Sequence, residues 1–191
     1  MRVPADHLIP PENDGWRLAP AMLMYERVAI GTGQQGGILH ELADTMIQAA
    51  RRRGVIDDPV IRQDLMRLYT AEVCQSLISA ETSTRVKAGR APGPGGSLGK
   101  LAFARVAAMS RGVGLEVQGA GGIAWETGDE HGDRWAGLAL KSFAVSVAGG
   151  TNEIQKNIIG ERVLGLPREP SVDRDVPFKD LTLVHDLRRQ R

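Results

Sequence analysis

DDPVIRQDLMRLYTAEVCQSLISAETSTRVKAGRAPGPGGS, residues 57–97, sets the class of fold. Asp58 followed by Pro59 is a helix start: an aspartate can accept the free N–H groups of a first turn, and proline at the first helical position loses no hydrogen bond. From there Ile61, Leu65, Leu68, Val73, Leu77 and Ile78 recur at helical spacing, which predicts a helix to about Arg85. GRAPGPGGS, Gly89 to Ser97, then forbids continuation.

Working outward, the same period returns on both sides. Downstream, a helix is predicted from about Ser97 to Val117, with Leu98, Leu101, Val106, Met109 and Val113 as its buried stripe and Gly119, Gly121 and Gly122 as its end. Another runs from about Asp133 to Val147 and is closed by Gly149 and Gly150. The last begins at Thr151, a good N-cap, and carries Ile154, Ile158, Val163 and Leu164 up to Pro167. Upstream, Trp16 to Arg53 reads as one long helix through Leu18, Met22, Leu23, Ile38, Leu39, Leu42, Met46 and Ile47. Its middle, GTGQQGG from Gly31 to Gly37, is poor helix material, since an interior glycine costs about 1 kcal/mol relative to alanine. It is either a break or a bare face that admits a close neighbour. Met1 to Gly15 reads as an edge strand or extended arm with no strand to pair with, and Arg168 to Arg191 as a polar, basic-ended tail. The expected fold is all-α: an antiparallel bundle of about four to five helices with a short extended N-terminal arm.

Composition narrows the function classes. With 42% apolar residues among 191, the chain can bury one core. Lys plus Arg (24) balance Asp plus Glu (23), so no field of one sign points to nucleic acid or an anionic membrane. No apolar run is long enough to span a bilayer and the amino terminus has no signal-peptide pattern, so a cytoplasmic protein is expected. The single cysteine, Cys74, has no intrachain partner and reads as a buried, inert thiol. His7, His40, His131 and His185 lack metal-ligand spacing, so no metal is expected. Trp16, Trp125 and Trp135 read as packing residues near helix ends.

AGGTNEIQKNIIGERVLGLPREP, Ala148 to Pro170, resembles the signature near the carboxyl end of acyl-CoA dehydrogenases. VPADHLIPPENDGWRLAPAMLMYERVAIG, Val3 to Gly31, resembles the segment where that family's middle β-domain passes into its first carboxyl-terminal helix. The resemblance covers the chain up to its tail but only the carboxyl-terminal part of a complete member. It implies residues 1–15 as a remnant of the β-domain and linker, 16–167 as the helical bundle and 168–191 as a tail. It also favours an unbroken first helix.

The family removes an α-proton from an acyl-CoA thioester with a carboxylate while hydride leaves the β-carbon for FAD. In many members the base is a glutamate directly before the Gly-Thr of the terminal signature; here that position is Gly149, which has no carboxylate. A minority, including isovaleryl-CoA and long-chain types, carries the base on the first carboxyl-terminal helix in a Glu-Arg pair. The resemblance therefore implies Glu26 as base, with Arg27 as an electrostatic or structural partner on the substrate side. Taken alone, such a pair is an ordinary solvated one.

For FAD it implies Thr151 and Gln155 at a helix start, whose free N–H groups suit electron-rich acceptors. It also implies a glutamine before the glycine run; an ungapped reading puts Glu116 there, and a shift of two puts Gln118 there. Arg53, ending the arginine run after the first helix, is the candidate cation for the FAD diphosphate. Each has a plainer reading, as cap, turn or solvated helix end. With only a partial FAD site, the expectation is half of a dehydrogenase that is inactive and colourless alone. The alternative is a non-catalytic helical-bundle subunit or assembly partner. Implied partners are acyl-CoA, electron-transfer flavoprotein and a homo- or hetero-oligomeric mate.

Overall fold

The computed structural model describes residues 4–9, 11–31, 42–124, 128, 130–168, 170 and 176, the side chains of 130–133 excepted. Within them the chain forms α1 (Gly15–Gly31), α2 (Leu42–Arg52), α3 (Pro59–Lys87), α4 (Gly95–Gln118), α5 (Glu130–Val147) and α6 (Asn152–Arg162). No strand occurs among the described residues, and the all-α expectation holds. The start of α3 is as read: the Asp58 carboxylate accepts from the N–H of Val60 at 2.8 Å and of Ile61 at 3.2 Å. Thr151 caps α6, its hydroxyl accepting from Ile154 N at 3.3 Å. In the arm, Ala5–His7 forms one 3-10 turn between extended flanks rather than a run of strand.

The long first helix is described as two pieces, α1 and α2; residues 32–41, which hold most of GTGQQGG, lie outside the described residues. Gly31, at the head of that run, does admit a close neighbour. A Cβ placed on it would sit 2.8 Å from Lys100 N and 3.0 Å from Gly99 C, so α1 and α4 cross backbone to backbone. The Gly31 carbonyl accepts from Gln75 Nε2 at 2.7 Å and Ser79 Oγ at 2.9 Å, so α3 satisfies the polar group the crossing leaves over. Gly31→Ala forces two helix backbones apart and is expected to cost about 1–3 kcal/mol, read as a lower urea midpoint at unchanged slope.

α4 is central: it packs on α1, α2, α3, α5 and α6. That explains why its buried set, Phe103, Ala104, Val106, Ala107, Ser110, Val113 and Val117, runs round the helix instead of along the predicted stripe. Leu98 stays 38% exposed and Leu101 and Met109 half-buried. Met46, Leu65, Leu68 and Ala107 are fully buried in the same core. Glu72 of α3 caps α2 from outside it, its two carboxylate oxygens accepting from Leu42 N at 2.8 Å and Ala43 N at 3.0 Å.

Several apolar residues expected inside are not. Cys74 is exposed. Trp16 is 85% exposed, whereas Trp135 is buried; Trp125 lies outside the described residues. Met22 and Leu23 of α1, Val73 and Leu77 of α3 and Ile154 and Leu164 at α6 also face outward. Helical period reveals that a face is apolar, and within these residues nothing covers those faces.

Candidate functional site

Two groups of the expected site residues form in the bundle. The first lies where α1 meets the turn between α5 and α6. Gly149 (φ 66°) and Gly150 (φ 91°) take the left-handed region that favours glycine, which turns the chain into α6. Gln155, fully buried, donates from Nε2 to the Gly149 carbonyl at 2.8 Å and so locks the turn from beneath. A Cβ on Gly150 would lie 2.8 Å from that same Nε2. The Gln155 Oε1 is buried and has no hydrogen-bond partner among the described residues, an acceptor left open near the start of α6.

Glu26 and Arg27 are both half-buried on α1. A Cβ on Gly149 would lie 2.7 Å from Ile30 Cδ1 and 4.0 Å from Arg27 Cα, so this stretch of α1 runs directly against the glycine turn. Among the described residues neither Glu26 nor Arg27 joins an ion pair. Consecutive helical residues point about 100° apart, so Arg27 does not face Glu26.

The second group lies at the far end of α4. Gln118 is buried, and its Oε1 accepts from Arg53 Nη1 at 3.5 Å, a long contact. The same guanidinium lies over the turn Gly119–Gly122: Cβ atoms on Gly119 and Gly121 would be 3.9 and 3.6 Å from its nitrogens. Glu116 is exposed. The pair that meets is therefore Gln118 and Arg53, with bare backbone beside it. No hydrogen bond or ion pair among the described residues links this group to Thr151 or Gln155.

Lys100 was missed by the sequence reading. Fully buried in α4, its Nζ donates to the Ser146 carbonyl at 3.3 Å and to Asn152 Oδ1 at 3.1 Å, tying the end of α5 to the start of α6. A lysine flanked by Gly99, Phe103 and Ala104 in an otherwise apolar stretch was the available signal. Burial lowers its pKa below the ordinary 10.5, and the nearby Glu153 carboxylate partly opposes this. The carboxyl of Glu153 is itself held low by the free backbone N–H of its first turn and by the Thr151 hydroxyl. Native Lys100 thus releases its proton at lower pH than the unfolded chain does. Stability therefore rises with pH through the window below 10.5. Denaturation midpoints measured as pH is raised toward 10.5 should show that rise, and Lys100→Met should remove it.

Comparison with known proteins agrees with this architecture. The family model for the C-terminal domain of acyl-CoA dehydrogenase matches residues 13–164, and the chain belongs to that family. It is 36% identical over 168 residues to acyl-CoA dehydrogenase IpdE1 of Mycolicibacterium smegmatis, a match covering 88% of this chain and 41% of that protein. Identity to IpdE1 of Mycobacterium tuberculosis is 37%, covering 88% and 42%. The chain thus spans about two fifths of the length of these curated relatives. In fold it is similar to the Tcur3481-Tcur3483 steroid ACAD, with a TM-score of 0.77 at 23% identity, covering 87% of this chain and 44% of that one. The ChsE4-ChsE5 complex from Mycobacterium tuberculosis gives a TM-score of 0.69 at 24% identity, covering 87% and 45%.

Proposed function

We propose that this chain is the carboxyl-terminal half of an FAD-dependent dehydrogenase of acyl-CoA thioesters, that Glu26 is its base, and that polypeptide beyond these residues completes the site. One observation carries the reading: the glycine at the family's usual base position, Gly149, abuts Ile30 and Arg27 of α1, the helix that carries Glu26. A carboxylate moved to α1 therefore stays in the same neighbourhood as one lost from the turn.

A half-buried carboxylate becomes a better base when a bound thioester excludes its remaining water, because desolvation disfavours the charged form. Glu26 takes the α-proton and becomes the neutral acid. When bound, FAD supplies the acceptor for the hydride that leaves the β-carbon. The residues fit such a group: the orphan Gln155 Oε1 awaits a donor at the start of α6, and Arg53 with Gln118 borders a side-chain-free turn. Arg27, half-buried beside Glu26 in sequence, is assigned to the substrate side, where a cation suits the phosphates of coenzyme A. As in the relatives' family, electron-transfer flavoprotein would reoxidise the flavin, and a second polypeptide would supply the missing walls.

The flavin part is tested with Arg53→Ala in the enzyme assembled from this chain and its complement. Loss of a charged hydrogen-bond donor to phosphate should weaken FAD retention roughly tenfold to a hundredfold. Flavin absorbance per protein after gel filtration measures it; unchanged flavin content would remove Arg53 from the site.

A further inference from the structure

The turn 147–151 between α5 and α6 contains Gly149 and Gly150, both in the left-handed region, so its own backbone restrains it weakly. Its two flanks are bonded to a single atom. Lys100 Nζ donates to the Ser146 carbonyl at 3.3 Å on one side and to Asn152 Oδ1 at 3.1 Å on the other. The Ser146 carbonyl belongs to the last turn of α5, where carbonyls run out of helical partners and the dipole favours a cation. The buried lysine thus closes the turn from α4.

The same residue fixes where the turn stands. Its backbone N lies 2.8 Å from the position a Cβ would take on Gly31, so α4 touches α1 at the root of this side chain. Gly149 meets α1 at Arg27 and Ile30, between Glu26 and that crossing. Gln155 also holds Gly149, but it belongs to α6 and travels with it. Lys100 is anchored on α4 and refers the turn to the wall of α1 that bears Glu26.

Stability alone does not call for a charge here. Taking an ammonium out of water is costly, and an apolar side chain of similar length packs as well or better. What the ammonium adds is direction, since its N–H groups hold two acceptors where methionine would let them slide. We propose that Lys100 is a positioning residue, whose ammonium keeps the Gly149 turn and the start of α6 in register with the Glu26 stretch of α1. It acts through the turn, and the proposal rests on the reading of these two stretches as one reacting site.

Hydrogen exchange in the full chain tests the holding. Lys100→Met should speed exchange of the amides in 148–156 at least about tenfold, while 61–68, in the core of α3, exchanges no faster than in the parent. A residue that served only overall stability would speed both segments together. Asn152→Ala, which removes one acceptor at a half-buried position, should loosen 148–156 by a smaller factor. Asn152→Asp, which sets a carboxylate against the ammonium, should tighten it. These two variants keep the lysine and decide the matter should Lys100→Met not fold. In the assembled dehydrogenase, Lys100→Met should lower kcat about tenfold to a hundredfold with flavin content at the parent level, the effect of a misplaced turn. Turnover at the parent rate, exchange that quickens in both segments, or exchange unchanged in 148–156 each overturns the proposal. If Glu26→Gln leaves turnover intact while Lys100→Met lowers it, the base assignment falls and Lys100 still positions the turn; the reverse pair of results removes Lys100 alone.

Discussion

Glu26→Gln in the assembled dehydrogenase is expected to lower kcat by about 10²–10⁴-fold while flavin content and the visible spectrum stay unchanged. Glutamine keeps the size and hydrogen-bonding capacity of the side chain and removes only the ability to take a proton. The effect should fall on turnover rather than on substrate binding, because the lost interaction exists only as the α-proton moves. A variant that turns over at the parent rate would show that the base lies elsewhere. Restoring a carboxylate through Gly149→Glu is not a clean rescue: that residue has φ 66°, where side chains other than glycine are strained, and its Cβ would collide with Ile30 Cδ1 at 2.7 Å. The turn has settled around glycine, and the wall of α1 has filled the space.

Leu68→Ala should be the most damaging single change to the framework. Leu68 is fully buried in the core shared with Met46 and Leu65, so truncation removes its transfer energy and leaves a cavity that rigid helices close only in part. A cost of about 2–5 kcal/mol follows, equivalent to a drop of roughly 5–15 °C in melting midpoint for a chain of this size. Leu77→Ala, on the same helix but 65% exposed, is the internal control and should change the midpoint little. Differential scanning calorimetry of the two variants separates burial from mere apolarity; equal losses would mean that Leu77 is covered after all.

That contrast marks where the sequence was readable and where it was not. Asp58 and Pro59 announced the start of α3 because capping is a local matter between one carboxylate and the next few N–H groups. Thr151 did the same for α6. The interior of α4 was misread because a stripe presumes one buried face, whereas a helix with neighbours on every side buries alanine, serine and glycine together with its larger residues. Lys100 vanished for the same reason: period counts apolar residues and does not register a cation that finds a carbonyl and an amide inside. The choice between Glu116 and Gln118 was undetermined in the letters alone. Two positions apart on a helix means nearly opposite directions, and Gln118 points inward to Arg53. The roles assigned to Glu26, Arg53, Gln118, Thr151 and Gln155 came from resemblance; Glu26→Gln and Arg53→Ala test the first two.

The placement of α4 has one more consequence. Every other helix leans on a single rod that belongs to this same stretch of 191 residues. Under the proposed function, further polypeptide would therefore be cladding and not scaffolding: it would line the bundle's flank without being threaded through its middle.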